Sequence, residues 1–135
     1  MDARVRYATT VTKVGTEVKE FVASGLLIWF IETAPEELHF FSVLHRPDVT
    51  TGGVEPGDVV RIDDTELRVT AVGSVLNENM VNLGHIDLKA NGAEEAPLAG
   101  DLCVEEGPLP EIRPGTRLVI EGPNPEAAQQ DQAGR

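Results

Sequence analysis

Only one cysteine, Cys103, occurs in the 135 residues, so no disulfide can form within the chain. That points to a reducing compartment. Aromatic residues make up only 4% of the chain, so valine, leucine and isoleucine must supply most of a core. Positive charge is scarce as well: 11 Lys and Arg stand against 23 Asp and Glu, a net charge of −12. A surface this acidic repels nucleic acid and anionic membranes and favours a basic protein partner. Long apolar runs are missing too. The longest, Leu26 to Ile31, falls far short of the ~20 residues of a membrane span. The start, Met-Asp-Ala-Arg-Val-Arg-Tyr, lacks the apolar segment of a signal peptide. The expectation is a soluble cytoplasmic chain.

Several chemistries lack their signatures. Gly52-Gly53 stands without the lysine or helix of a phosphate-binding loop, and no dinucleotide glycine pattern is present. One cysteine and three scattered histidines fit no zinc spacing. A G-x-S-x-G nucleophile elbow is absent. No metal or cofactor is therefore expected.

What is present reads as strands and turns in one domain. In residues 3–14, Val5, Tyr7, Thr9 and Val11 share one face of a strand. Residues 15–24 are polar and ambiguous. Leu26 to Ile31 lacks alternation, as does a strand buried on both faces. Thr33 to Leu38 reads as one helical turn capped by Thr33, with Glu36 and Glu37 at its positive end. A strand over 39–45 ending on His45 follows, then a loop rich in Thr and Gly. Pro56-Gly57 is a type II turn signature, and Asp63-Asp64 a hairpin turn between strands 59–62 and 66–72. Ile112 to Ile120, with Pro114-Gly115, repeats the pattern of residues 54–62, and two similar hairpins explain that better than an internal duplication.

One convincing helix spans about 74–83. Leu76, Met80 and Leu83 follow its period, Ser74 is placed to cap it, and Gly84 to close it. Strands follow at 85–89, 102–105 and 116–120. The fold expected is mainly β: a small antiparallel β-barrel-like domain over 1–121 with one short α-helix. The tail 122–135 has no apolar periodicity and is expected to be disordered.

The histidines carry the candidate chemistry. Neutral imidazole is available as a nucleophile near pH 7 without special activation. On a strand, His39 and His45 stand roughly 20 Å apart at ~3.3 Å per residue, too far to act on one atom. That leaves His45 and His85 as the pair to look for, with His39 structural. Purely structural roles for both stay open on pattern alone. Gly73-Ser74, at the start of the helix, is a candidate anion site against the plainer reading of an ordinary turn. Cys103, between Leu102 and Val104, reads as core, and the acidic pairs as solvated turns.

Four stretches together resemble one family. They are Ala34-Pro35-Glu36-Glu37-Leu38, the strand Val43-Leu44-His45, Thr70-Ala71-Val72-Gly73-Ser74-Val75, and Asn82-Leu83-Gly84-His85-Ile86. The family is the glucitol/sorbitol-specific enzyme IIA component of the bacterial phosphoenolpyruvate-dependent sugar phosphotransferase system. The resemblance runs from about Tyr7 to Glu121 and takes in Arg113-Pro114-Gly115. It implies a small β-barrel-like domain with a phosphohistidine intermediate. The histidine after the Ala-Pro turn is the carrier, which here is His45. It implies phosphate received from the phosphocarrier protein HPr and passed to the enzyme IIB part of a membrane permease with IIB and IIC parts. In some members a second histidine lies two positions after the carrier. Pro47 stands there in this chain, which leaves His85 as the supporting residue. Phe41 and Val43 would then form an exposed apolar rim around His45. Two rivals are a non-catalytic protein-binding barrel of the same family and a barrel binding a small molecule, which would need an internal pocket.

Overall fold

The computed structural model describes residues 3–123. Eight strands form in chain order: β1 (Ala3–Val14), β2 (Leu26–Ile31), β3 (Val43–Val49), β4 (Val59–Ile62), β5 (Thr65–Val72), β6 (Ile86–Lys89), β7 (Asp101–Val104) and β8 (Arg117–Pro123). They close into one barrel in the order β1-β3-β2-β6-β7-β5-β4-β8, with β8 returning to β1. Closure pairs every strand on both sides and leaves no open edge. Six of the eight pairings are antiparallel, as expected for a mainly β barrel; β2–β3 and β6–β7 are parallel. Parallel neighbours need long connections, and residues 32–42 and 90–100 provide them.

The barrel is filled by its own side chains. Tyr7, Leu27, Trp29, Val60, Ile86, Leu88, Leu102, Leu118 and Ile120 have no exposed surface. The expected helix is present as α2 (Leu76–Leu83), and Leu76 and Met80 enter the core cluster. Gly84 ends α2 in the left-handed region, at φ +61°, as the sequence suggested. Ser74 makes no capping bond; the N-cap is Val75. Leu83 is exposed, because the helix stops there and the chain turns away at Gly84.

The ambiguous stretch 15–24 holds a second short helix, α1 (Val18–Ala23), which packs against β2. On β2, Leu27 and Trp29 are buried and the other four residues only partly so. The expectation of burial on both faces is corrected: the inner face is closed, while α1 covers only part of the outer one.

A larger correction concerns residues 36–45. Glu36–Phe41 is a 3-10 helix with Pro35 as N-cap, and Thr33 plays no capping part. The strand begins at Val43, not at 39, and runs past His45 to Val49. His39 Nε2–H donates to the Ala34 carbonyl at 2.8 Å and so holds the 3-10 helix to its entry. Gly15 explains why the helix can sit there. A Cβ on Gly15 would overlap the His39 and Phe40 carbonyls, while Gly15 N–H donates to Ser42 O and Glu17 N–H to Phe40 O.

Pro56-Gly57 and Pro114-Gly115 both form turns with glycine at positive φ, +97° and +94°. They feed β4 and β8, which lie side by side and antiparallel. The tail expected to be disordered over 122–135 starts later: Gly122 and Pro123 belong to β8 and pair with Arg4 and Ala3, and residues 124–135 lie outside the described residues.

Candidate functional site

β3 aims His45 into the barrel. Val43, Leu44 and His45 are buried and Arg46 is exposed. Beside His45 across the ladders stand Val11 on β1 and Ile31 on β2. Trp29 packs edge-on against the imidazole with ring centroids 5.6 Å apart, and Tyr7 does so at 6.2 Å. His45 has no exposed surface. The expected exposed apolar rim is therefore absent around this ring: Val43 is fully buried and Phe41 belongs to the 3-10 helix. The ring does not stand at the mouth of a strand, because the strand starts four residues later than its composition suggests and carries His45 in its interior.

Both ring nitrogens are held. Nε2 lies 2.7 Å from the Gly84 carbonyl, and Nδ1 lies 2.6 Å from Thr9 Oγ1. A carbonyl only accepts, so Nε2 carries the proton and donates it to Gly84 O. In the neutral ring Nδ1 is then bare and accepts from the Thr9 hydroxyl. Thr9 is also fully buried. Burial pushes the His45 pKa down to about 4, against smaller upward pulls from the Gly84 carbonyl and the Glu32 carboxylate. The ring is neutral at pH 7 as a result.

Neither contact with His45 is legible in the sequence, where Thr9 reads only as a position on one face of β1 and Gly84 as a helix stop within a family stretch. Thr9 and Gly84 lie 36 and 39 positions from His45. The one local signal was the alternation of β1, which puts Thr9 on the inward face with Tyr7 and Val11. Tyr7 Oη and Trp29 Nε1 on the neighbouring rings are buried with no partner among the described residues. Burial alone pushes the Tyr7 hydroxyl pKa up, so it stays a proton donor.

Gly84 is fitted to its place. A Cβ there would lie 2.8 Å from Ile31 N and 3.1 Å from His45 Cε1, at a φ that L-residues adopt poorly. Gly84→Ala is expected to lose about 2–4 kcal/mol of stability and to shift the emission of Trp29, the single tryptophan. Thermal unfolding followed by that emission measures both.

His85 follows Gly84 in sequence, but its side chain serves another contact. Its ring stacks on Phe30, 4.3 Å between centroids and 5° from parallel, and Nε2–H donates to Asp87 Oδ1 at 3.0 Å. It is half-buried on the outer side of β6, where Asp87 and Lys89 alternate with buried Ile86 and Leu88. The structure thus brings the Gly84 backbone to His45 and leaves the two imidazoles with different partners.

Gly73 and Ser74 lie at the opposite end of α2, about 12 Å of helix away from Gly84. Gly73 permits a close crossing, since a Cβ there would overlap the Ala99 carbonyl. The N–H groups of Gly73, Val75 and Leu76 already donate to Asp101 O, Ala99 O and Gly73 O. Glu94 and Glu95 share the cleft that Gly73 and Ser74 line. Neither residue meets His45. Another cleft, of about 760 Å³, lies between α1 and the 109–112 connector, lined by Val14, Val18, Val22, Leu109 and Ile112. Among the described residues, no group of three or more His, Cys, Asp or Glu is placed to hold a metal ion, and no helix is long and apolar enough to cross a membrane.

Fold and site together define a small closed β-barrel with one interior, neutral histidine. Residues 6–119 match the family model described as PTS system glucitol/sorbitol-specific IIA component. The glucitol/sorbitol-specific EIIA components of Shigella flexneri and of Escherichia coli K12 are each 36% identical to the chain over 118 residues. That covers 87% of this chain and 95% of each relative. A crystal structure of a PTS system IIA component from Enterococcus faecalis V583 is also similar, with a TM-score of 0.72 and 26% identity. The match covers 82% of this chain and 96% of that one. The chain belongs to the glucitol/sorbitol-specific IIA family of the sugar phosphotransferase system, as its sequence motifs implied.

Proposed function

We propose that this chain is a phosphoryl carrier. His45 takes a phosphoryl group from phospho-HPr and passes it to the enzyme IIB part of a glucitol/sorbitol permease. The supporting observation is the state of His45 in a chain of this family: a neutral imidazole, fixed by two hydrogen bonds, with its lone pair available at pH 7. Phosphoryl transfer needs positioning and charge stabilisation more than covalent help from the protein. A ring of low basicity also makes a good leaving group, which suits a carrier that must give the phosphoryl group up again. Neither a metal nor a cofactor is needed, and the chain reaches the membrane only through the permease.

His45 has no exposed surface, so the cover over the ring must open in the complex with the donor. Gly84 supplies the carbonyl that orients the His45 ring, while the His85 side chain, stacked on Phe30 and bonded to Asp87, does not meet it. Gly73 and Ser74 have no part in this reading.

The same burial favours a second reading. A histidine with both nitrogens satisfied is also what a purely structural core residue looks like. The chain would then be a non-catalytic protein-binding barrel of the family. Charging with labelled phosphoenolpyruvate, enzyme I and HPr, followed by addition of enzyme IIB, separates the two. A carrier takes up label and discharges it to IIB, and His45→Ala does neither. A structural barrel takes up no label, and its partner binding ignores the substitution.

A further inference from the structure

We infer that the phosphoryl group is carried on Nδ1 of His45, with the Thr9 hydroxyl as the group that guards and then holds it. This rests on the carrier reading and assigns its reacting atom. Nε2 faces the Gly84 carbonyl at 2.7 Å, so its proton is fixed and its lone pair is in the ring system. A carbonyl oxygen has no hydrogen to give back, and nothing else within hydrogen-bond reach of Nε2 relieves it. Nδ1 is the bare nitrogen, and its contact is a hydroxyl at 2.6 Å. A hydroxyl can rotate, whereas a backbone carbonyl between the end of α2 and β6 cannot leave without moving both.

The step balances without a further reactant. The Nδ1 lone pair forms the new P–N bond as the donor histidine's P–N bond breaks, and the donor ring leaves with its electron pair. Nε2 keeps its proton on Gly84 O throughout. The His45 ring gains the positive charge that the donor ring loses. Thr9 Oγ1–H, displaced from Nδ1, turns its hydrogen to a phosphoryl oxygen. Two further buried donors stand on the rings that border the imidazole, Tyr7 Oη and Trp29 Nε1, and both lack partners. A phosphoryl group brings three acceptor oxygens into surroundings that otherwise leave these atoms unmatched. Gly84, with no Cβ, lets its carbonyl and backbone come within contact of the ring edge.

The test uses the full chain labelled with nitrogen-15 histidine. In the uncharged protein, nitrogen NMR should show His45 protonated on Nε2 and bare on Nδ1. After charging through HPr, the phosphohistidine released by alkaline hydrolysis should match the Nδ1 isomer by chromatography against both standards. Thr9→Val should slow charging on the order of 100-fold, while Thr9→Ser keeps most of the rate. Native Trp29 emission in each variant shows that the barrel has folded. Label on Nε2 of His45 overturns the inference and leaves the carrier reading standing. So does charging of a folded Thr9→Val at the wild-type rate. No label on His45 at all overturns both.

Discussion

Replacing Asp58 with alanine is expected to destabilise the barrel by about 3–5 kcal/mol, because it strands a buried guanidinium. Asp58 is 1% exposed and Arg6 9%. The carboxylate accepts from Arg6 Nε at 3.1 Å and from the Glu55 backbone N–H at 2.9 Å. The pair ties β1 to the turn that opens β4, and Gly122 of β8 leaves room for it. A Cβ on Gly122 would overlap Asp58 Oδ1 and sit 2.6 Å from Arg6 Nη2. Three neighbouring strands, β1, β8 and β4, therefore meet on one ion pair at the seam where the barrel closes. Glu55, the other acid near Arg6, is 65% exposed and 3.7 Å away, and is a poor substitute. Urea unfolding measures the loss. The double replacement Arg6→Met with Asp58→Leu should recover a large part of it, since the cost lies in the unpaired charge and not in the missing pair. A loss below about 1 kcal/mol for Asp58→Ala, the size of an exposed ion pair, would contradict this picture.

Acid is expected to weaken the fold through His45. Burial lowers its pKa from 6.5 to about 4. Between those values the unfolded chain binds a proton at this residue and the folded one does not. Stability therefore rises with pH across the window. It is fully present above 6.5, falls as pH drops, and has lost the whole contribution by about 4. At 1.36 kcal/mol per pKa unit the contribution is about 3 kcal/mol. Chemical unfolding at a series of pH values, compared with His45→Gln, isolates it from the carboxylates. Glu32 and Asp48 also have lowered pKa values, through Arg46 and Arg117, and Glu17 a raised one, through Glu20; these contributions set in from the ordinary carboxylate range and are common to both proteins. From pH 6.5 down to the carboxylate range, the slope should be flatter in His45→Gln than in the wild type. Equal slopes would mean that His45 titrates normally, and so that it is not held neutral in the barrel.

Much of the barrel was legible because its signals are local. The alternation of β1 and β5, the Pro-Gly turns and the Asp63 turn at φ +51° each depend on neighbouring residues. What could not be read is non-local. Helix α1 buries one residue, Val18, and owes its place to Gly15 meeting the 3-10 helix from across the fold. Residues 39–45 look like one apolar strand, yet the first three belong to the 3-10 helix, where Phe40 is exposed. That shift turns His45 from a residue at a strand's end into one inside the barrel. The family motifs pointed to His45 and to the Gly84–His85 block. They gave no sign that the block contributes its carbonyl rather than its imidazole. Thr9 was visible only as an inward-facing β1 position, since nothing in a strand pattern tells a hydrogen-bonding threonine from a packing one.

The most direct measurement of the carrier role is peptide mapping by mass spectrometry after charging with phosphoenolpyruvate, enzyme I and HPr. It should find one adduct of about 80 Da, stable in base and labile in acid, on the peptide that contains His45. The peptides containing His39 and His85 should remain unmodified. An adduct on either of those, or none under conditions that charge the Escherichia coli relative, would contradict the assignment of His45 as the carrier.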